Sequence, residues 1–179
     1  MWWTLAAALV ASATTLLVAF LAYRYQKEQD RRLQLQSERR KVYDGFFAAT
    51  TDYYLALRIA LRDSDHAAEV LENGSRYHFA LLRSQESLAY YGEKPVIDQC
   101  FRYVACLDIL RSHIRAKMGL GQLSVPARQA ESLREAFTFC RDARIRSLAE
   151  ARADAFGIPL QTARTQLAGI FPLDGDADG

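Results

Sequence analysis

Trp2-Trp-Thr-Leu-Ala-Ala-Ala-Leu-Val-Ala-Ser-Ala-Thr-Thr-Leu-Leu-Val-Ala-Phe-Leu-Ala-Tyr23 is the stretch whose reading decides the rest. It carries no charged side chain, and its polar groups are hydroxyls and two indole donors. At about 1.5 Å per residue it reaches roughly 33 Å as a helix, the thickness of a hydrocarbon core near 30 Å with slight tilt. In lipid a lone span has to be helical, since its backbone finds no other hydrogen-bond partners. The expectation is a single transmembrane anchor over residues 1–23. Ala11-Ser12-Ala13 imitates a signal-peptidase site, but no Lys or Arg precedes it and the apolar run continues through Leu16, Leu17, Val18, Phe20 and Leu21. A cleaved leader has the opposite pattern.

Charge then sets the expected orientation. Arg24, Lys27, Arg31, Arg32, Arg39, Arg40 and Lys41 all follow the run. Positive flanks stay in the cytoplasm, so the amino terminus is expected outside the membrane and the C-terminal domain inside. Trp2 and Trp3 would mark the outer interface, Tyr23 and Tyr25 the inner one. The basic collar of Arg24, Lys27, Arg31 and Arg32 serves first as a topology signal and would also suit anionic headgroups. Small residues at four-residue spacing, Ala7, Ala11 and Thr15, offer a face for self-association of two such helices.

Composition bounds what remains. The chain has 179 residues, half hydrophobic and a quarter charged, which suits one folded domain beyond the anchor. Its net charge of +2 conceals a division. Residues 24–41 carry seven basic and three acidic side chains, so everything outside them is slightly acidic. That balance argues against nucleic acid as a partner. Abundant Ala, Leu, Arg, Glu and Gln favour helix throughout. No segment shows strand-like alternation and none repeats at a solenoid period.

The fold class expected is all-α: the transmembrane helix continues through a basic stalk, 24–36, into an antiparallel four-helix bundle over 37–173, followed by a disordered acidic tail, 174–179. Leu35, Val42, Phe46, Ala49, Tyr53, Ala56 and Ala60 mark the buried stripe of a first helix, 37–62, widened by Tyr43, Phe47, Tyr54, Leu57 and Leu61. Asp63-Ser64-Asp65 supplies the turn and next cap. A second helix is expected over 65–91, unbroken at Asn73-Gly74, with Gly74 at a close contact and Gly92 as its C-cap. The third, 95–118, buries Ile97, Cys100, Phe101, Val104, Leu107, Ile114 and Met118. Arg111, Arg115 and Lys117 would complement its dipole. Ser124 and Pro126 are expected to start the fourth, 125–156, and a short fifth follows over 160–168.

Sites of chemistry are sparse. Di-metal bundles need Glu-x-x-His pairs, and none of His66, His78 or His113 follows a Glu by three. Cys100, Cys106 and Cys140 have no metal spacing and read as small buried hydrophobes. Cys106 and His113 lie about 10 Å apart by helix rise, too far for a direct hydrogen bond. Gly119-x-Gly121 lacks the strand–turn–helix setting of a phosphate loop. No catalytic residue, metal ligand or cofactor is expected. The aromatics of the first three helices read as an aromatic-rich core, with Phe47, Tyr54 and Phe101 as the residues of an alternative ligand-binding or partner surface.

Ser37-Glu38-Arg39-Arg40-x-x-Tyr43-x-x-Phe46, the Tyr91-Gly92 turn and Phe137 followed by Arg141, together with the opening run, carry a resemblance. The chain resembles small bacterial single-span membrane proteins with a cytosolic helical bundle. The resemblance implies architecture and a bacterial origin and brings no activity with it. The Glu-Arg-Arg…Tyr run falls where stalk meets bundle, which points to structural capping. The function expected is that of a non-enzymatic, membrane-anchored scaffold or regulatory subunit, with the lipid bilayer and a membrane protein or a second copy as partners. The alternative is a sensor bundle that binds a small apolar or lipid ligand among its aromatics.

Overall fold

Every element in the computed structural model is helical, as the Ala- and Leu-rich composition requires. The structure describes residues 2–72, 74–120 and 132–168, leaving aside the side chains of 4–11 and 64–66. The helices are α1 (Trp2–Ala60), α2 (Ser64–Leu71), α3 (Arg76–Tyr91), α4 (Lys94–Lys117), α5 (Leu133–Phe156) and α6 (Leu160–Ala168). They fall into two units, Met1–Glu38 and Arg39–Gly179.

In the first unit Leu16, Leu17, Val18, Phe20 and Leu21 are each more than half exposed. Among the described residues no helix is long and apolar enough to cross a membrane. The span expected over 1–23 is therefore not shown by the fold, and 4–11, the middle of that run, lie among the side chains left aside. Further along, Arg32 pairs with Glu28 at 2.7 Å on an exposed face.

The second unit is a helical bundle. Its core takes Phe46, Tyr53 and Leu57 from α1, Leu81 and Leu88 from α3, and Leu107, Leu110 and Ile114 from α4. The α5 helix adds Ala136, Cys140, Ala151 and Ala155, small residues that let helices approach closely. Direction follows from which residues meet. Tyr43 meets Asp154, Thr51 meets Arg144 and Tyr54 meets Phe137, so α5 runs antiparallel to α1. Tyr43 meets Glu93 and Tyr53 meets Arg111, so α4 runs parallel to α1. Ile109, Leu110, Arg111 and Ser112 are buried in succession, which makes α4 the central helix here, covered on all sides.

Several boundaries differ from the sequence expectation for local reasons. The segment expected as one helix over 65–91 is two. Ser75 starts α3, its hydroxyl accepting from the His78 N–H, and a side chain on Gly74 would meet nothing within 4 Å. Gly74 therefore belongs to an open turn, and a capping serine outweighs the apolar face that runs past it. Gly92 does not cap in the left-handed region: its φ is −75°. Its need is space, since a Cβ there would lie 2.7 Å from the Leu88 carbonyl and 3.0 Å from Ile97. That contact keeps the α3–α4 link short. Left-handed glycines instead close α4 at Gly119, φ 71°, and α5 at Gly157, φ 62°, where the Ile158 N–H bonds the Ala153 carbonyl at 3.1 Å.

The α5 helix begins at Leu133, where Ser132 accepts from the Glu135 N–H in a Ser-x-x-Glu box. Ser124 and Pro126, expected to start it, lie outside the described residues, as do Gly121 and the 174–179 tail. Phe101, expected on the buried face of α4, is 41% exposed, because that face is centred on Val96, Cys100, Tyr103, Leu107, Leu110 and Ile114.

Candidate functional site

The most connected polar cluster stands where α1 enters the bundle. Arg39 and Arg40 share one turn of α1, Tyr43 follows on the next, and together they reach α5 and the start of α4. Arg39 pairs with Asp154 at 3.2 Å and with Glu93, and its side chain is only 19% exposed. Tyr43 donates to the second Asp154 oxygen at 2.5 Å and accepts from the Glu93 N–H at 3.4 Å. Burial, then the hydrogen bond to Asp154, pushes the Tyr43 hydroxyl well above the usual tyrosine range. Arg40 donates to the Ala155 carbonyl at 3.0 Å and lies 4.5 Å over the Phe156 ring. Arginine suits this place because its planar fork bonds two partners while its face stacks on a ring. The cluster supplies donors to the carboxyl end of α5, whose last carbonyls lack helical partners. It does the work of a clamp, as the Glu-Arg-Arg…Tyr run suggested, and it holds no group poised for catalysis.

A second polar group lies inside the bundle. Arg111 is buried and donates to the Tyr53 hydroxyl at 3.4 Å. Burial raises the Asp108 carboxyl above its ordinary value, while Arg111 and His78 pull it back. Arg115 donates to the Leu71 carbonyl at 3.1 Å and so finishes the last turn of α2. Arg111 and Arg115, expected to serve the dipole of their own helix, are thus used between helices. Sequence reading missed this because the partners stand 58 and 44 residues away.

Of the residues named for a ligand surface, Phe47 and Tyr54 lie on α1, partly buried against the core, and Phe101 lies on α4, 41% exposed. Phe47 packs edge-on against Phe46 with ring centres 5.3 Å apart, and Tyr54 does the same with Phe137 at 6.1 Å. A cavity of about 60 Å³ lies beside Tyr54, Tyr103, Cys140 and Arg144. It has room for about two waters, whereas drug-sized ligands occupy about 300–1,000 Å³.

Thiol chemistry finds no support. Cys100 and Cys140 are buried and Cys106 is half-buried. Burial pushes the Cys100 thiol up to about 12 and raises the other two as well. A thiol held protonated is a poor nucleophile. Among the described residues no group of three or more His, Cys, Asp or Glu side chains could hold a metal ion.

Trp2, Trp3, Tyr23, Arg24, Lys27, Arg31 and Arg32, named for a membrane interface, are all exposed along α1. The chain matches no protein-family model, no curated protein and no solved structure. The resemblance to bacterial single-span proteins gains no support from these comparisons.

Proposed function

We propose that this chain is a membrane-anchored helical-bundle scaffold or regulatory subunit, held by its opening helix and acting through protein contacts. The observation that carries this reading is the uncharged run of α1. Leu16, Leu17, Val18, Phe20 and Leu21 keep 56–72% of their surface exposed, although each would gain about 1.5–3 kcal/mol from full burial. Contiguous apolar surface of this kind marks a membrane or partner contact, and the absence of charge from Trp2 to Tyr23 favours lipid. The basic residues that follow favour a cytoplasmic position for the bundle. Tethering raises the effective concentration of the bundle near other membrane proteins, so weak contacts can suffice.

The test is fractionation of cells that express the full chain or a chain lacking residues 2–23. The full chain should stay in the membrane pellet through an alkaline wash, and the shortened chain should be released without it. Release of both, or retention of both, overturns the anchor. Cysteine labelling with a membrane-impermeant reagent on intact and permeabilised cells, after moving one cysteine to the exposed position Arg83, tests which side the bundle occupies.

A further inference from the structure

The basic collar is two groups with different partners. Arg39 and Arg40 belong to the bundle, bound to Glu93, Asp154 and the Ala155 carbonyl. Arg32 is paired with Glu28. Arg24, Lys27 and Arg31 are exposed, and among the described residues no carboxylate pairs with them. At about 100° per residue these three positions fall within about 60° of arc, a single stripe about 10 Å long. Glu28, beside the stripe, is held by Arg32. The stripe continues directly into the apolar run, with the Arg24 guanidinium 5.9 Å over the Phe20 ring. Cations placed at the end of a greasy segment, with no carboxylate paired to them among the described residues, have the complement of a phosphate-bearing bilayer face.

We propose that Arg24, Lys27 and Arg31 bind the phosphate groups of anionic phospholipids where α1 leaves the bilayer. The proposal rests on the anchor reading and goes further, naming the lipid class and the three residues that select it. Phospholipids are the partner because the stripe is continuous with the apolar run, so acyl chain and headgroup can be met by adjoining turns of one helix. Arg39 and Arg40 take no part, since Arg39 is bound to Glu93 and Asp154, and Arg40 to the Ala155 carbonyl and the Phe156 ring.

The experiment uses the full chain reconstituted in bilayers that mix a neutral and an anionic phospholipid, with the retained lipids quantified by native mass spectrometry after release. The wild-type chain should carry the anionic lipid at about fivefold over the bulk ratio, the order that one basic residue contributes near an anionic surface. The triple variant R24Q/K27Q/R31Q should fall to the bulk ratio. The charge-matched control R83Q/R102Q/K117Q, at exposed bundle positions, should keep the enrichment. Equal enrichment in the triple variant and the wild type, or equal loss in triple variant and control, overturns the proposal. Enrichment lost to inorganic phosphate at matched ionic strength would also overturn it, by identifying a free-anion site. A wild-type chain that survives an alkaline wash in the membrane yet carries lipid at the bulk ratio overturns the headgroup proposal alone. A chain released by that wash overturns the anchor and this proposal together.

Discussion

Within α1, Phe46, Tyr53 and Leu57 are completely buried, whereas Leu16, Leu17 and Phe20 earlier in the same helix stay more than half exposed. Both stretches are apolar and helical, so neither property explains the difference. The later stretch alternates its apolar residues with Asp44, Asp52 and Arg58, which leaves one face for the core and one for water. The earlier stretch has no polar face to offer. Helical period without amphipathicity calls for an apolar surrounding on every side; helical period with it calls for a folded partner on one.

Truncation gives the largest contrast. Phe46→Ala should cost the bundle about 3–5 kcal/mol, the usual loss for a fully buried aromatic. Leu17→Ala should leave the bundle's denaturation midpoint where it was. Guanidinium titrations followed by helical circular dichroism separate the two, and equal losses would mean the two stretches of α1 belong to one core.

Ion pairs repeat the comparison at smaller scale. Asp154→Ala removes the partner of Arg39 and of the Tyr43 hydroxyl, both largely buried, and should cost about 2 kcal/mol. Glu28→Ala removes an exposed pair and should cost less than about 0.5 kcal/mol. If added salt shrinks the cost of the two substitutions in the same proportion, the clamp at Arg39 is no better shielded than a surface pair. Gly92→Ala forces a methyl group against the Leu88 carbonyl and should cost about 1–3 kcal/mol, read as a lowered melting temperature. Gly74→Ala, in open space, should change little.

Protons and thiols give the finest tests. The Asp108 carboxyl titrates higher folded than unfolded, so the fold holds its proton longer. Stability from this group is fully present below the ordinary carboxylate range and is lost as pH rises through the raised value. Asp108→Asn should therefore gain on the wild type between acidic and neutral pH, and parallel stability curves would place Asp108 in solvent. In the native protein, half-buried Cys106 should react with a thiol reagent before Cys100 and Cys140. A faster Cys100 would show that α4 opens locally at its start.

Much of the fold was legible from local rules. The all-helical class, the part of the expected stripe through Phe46, Tyr53, Ala56 and Ala60, and the short helix over 160–168 follow from composition and period, whereas Leu35 at the start of that stripe is 46% exposed. The Arg39–Tyr43 clamp was visible only as an odd polar run; that it closes the end of α5 needed Asp154 beside it, more than a hundred residues on. Phe101 was misplaced because a helix with apolar residues on several sides does not reveal which arc is deepest. The break after Leu71 was missed because the apolar face crosses Gly74, while the deciding bond, His78 N–H to Ser75, is local but weak in sequence.

By itself the sequence determined helix and the segregation of charge after Tyr23, because these depend on composition and near neighbours. Only the tertiary structure decided which arginines are bound within the bundle and which stay exposed. That division depends on carboxylates and carbonyls brought close in space from distant parts of the chain, and helical spacing does not record them.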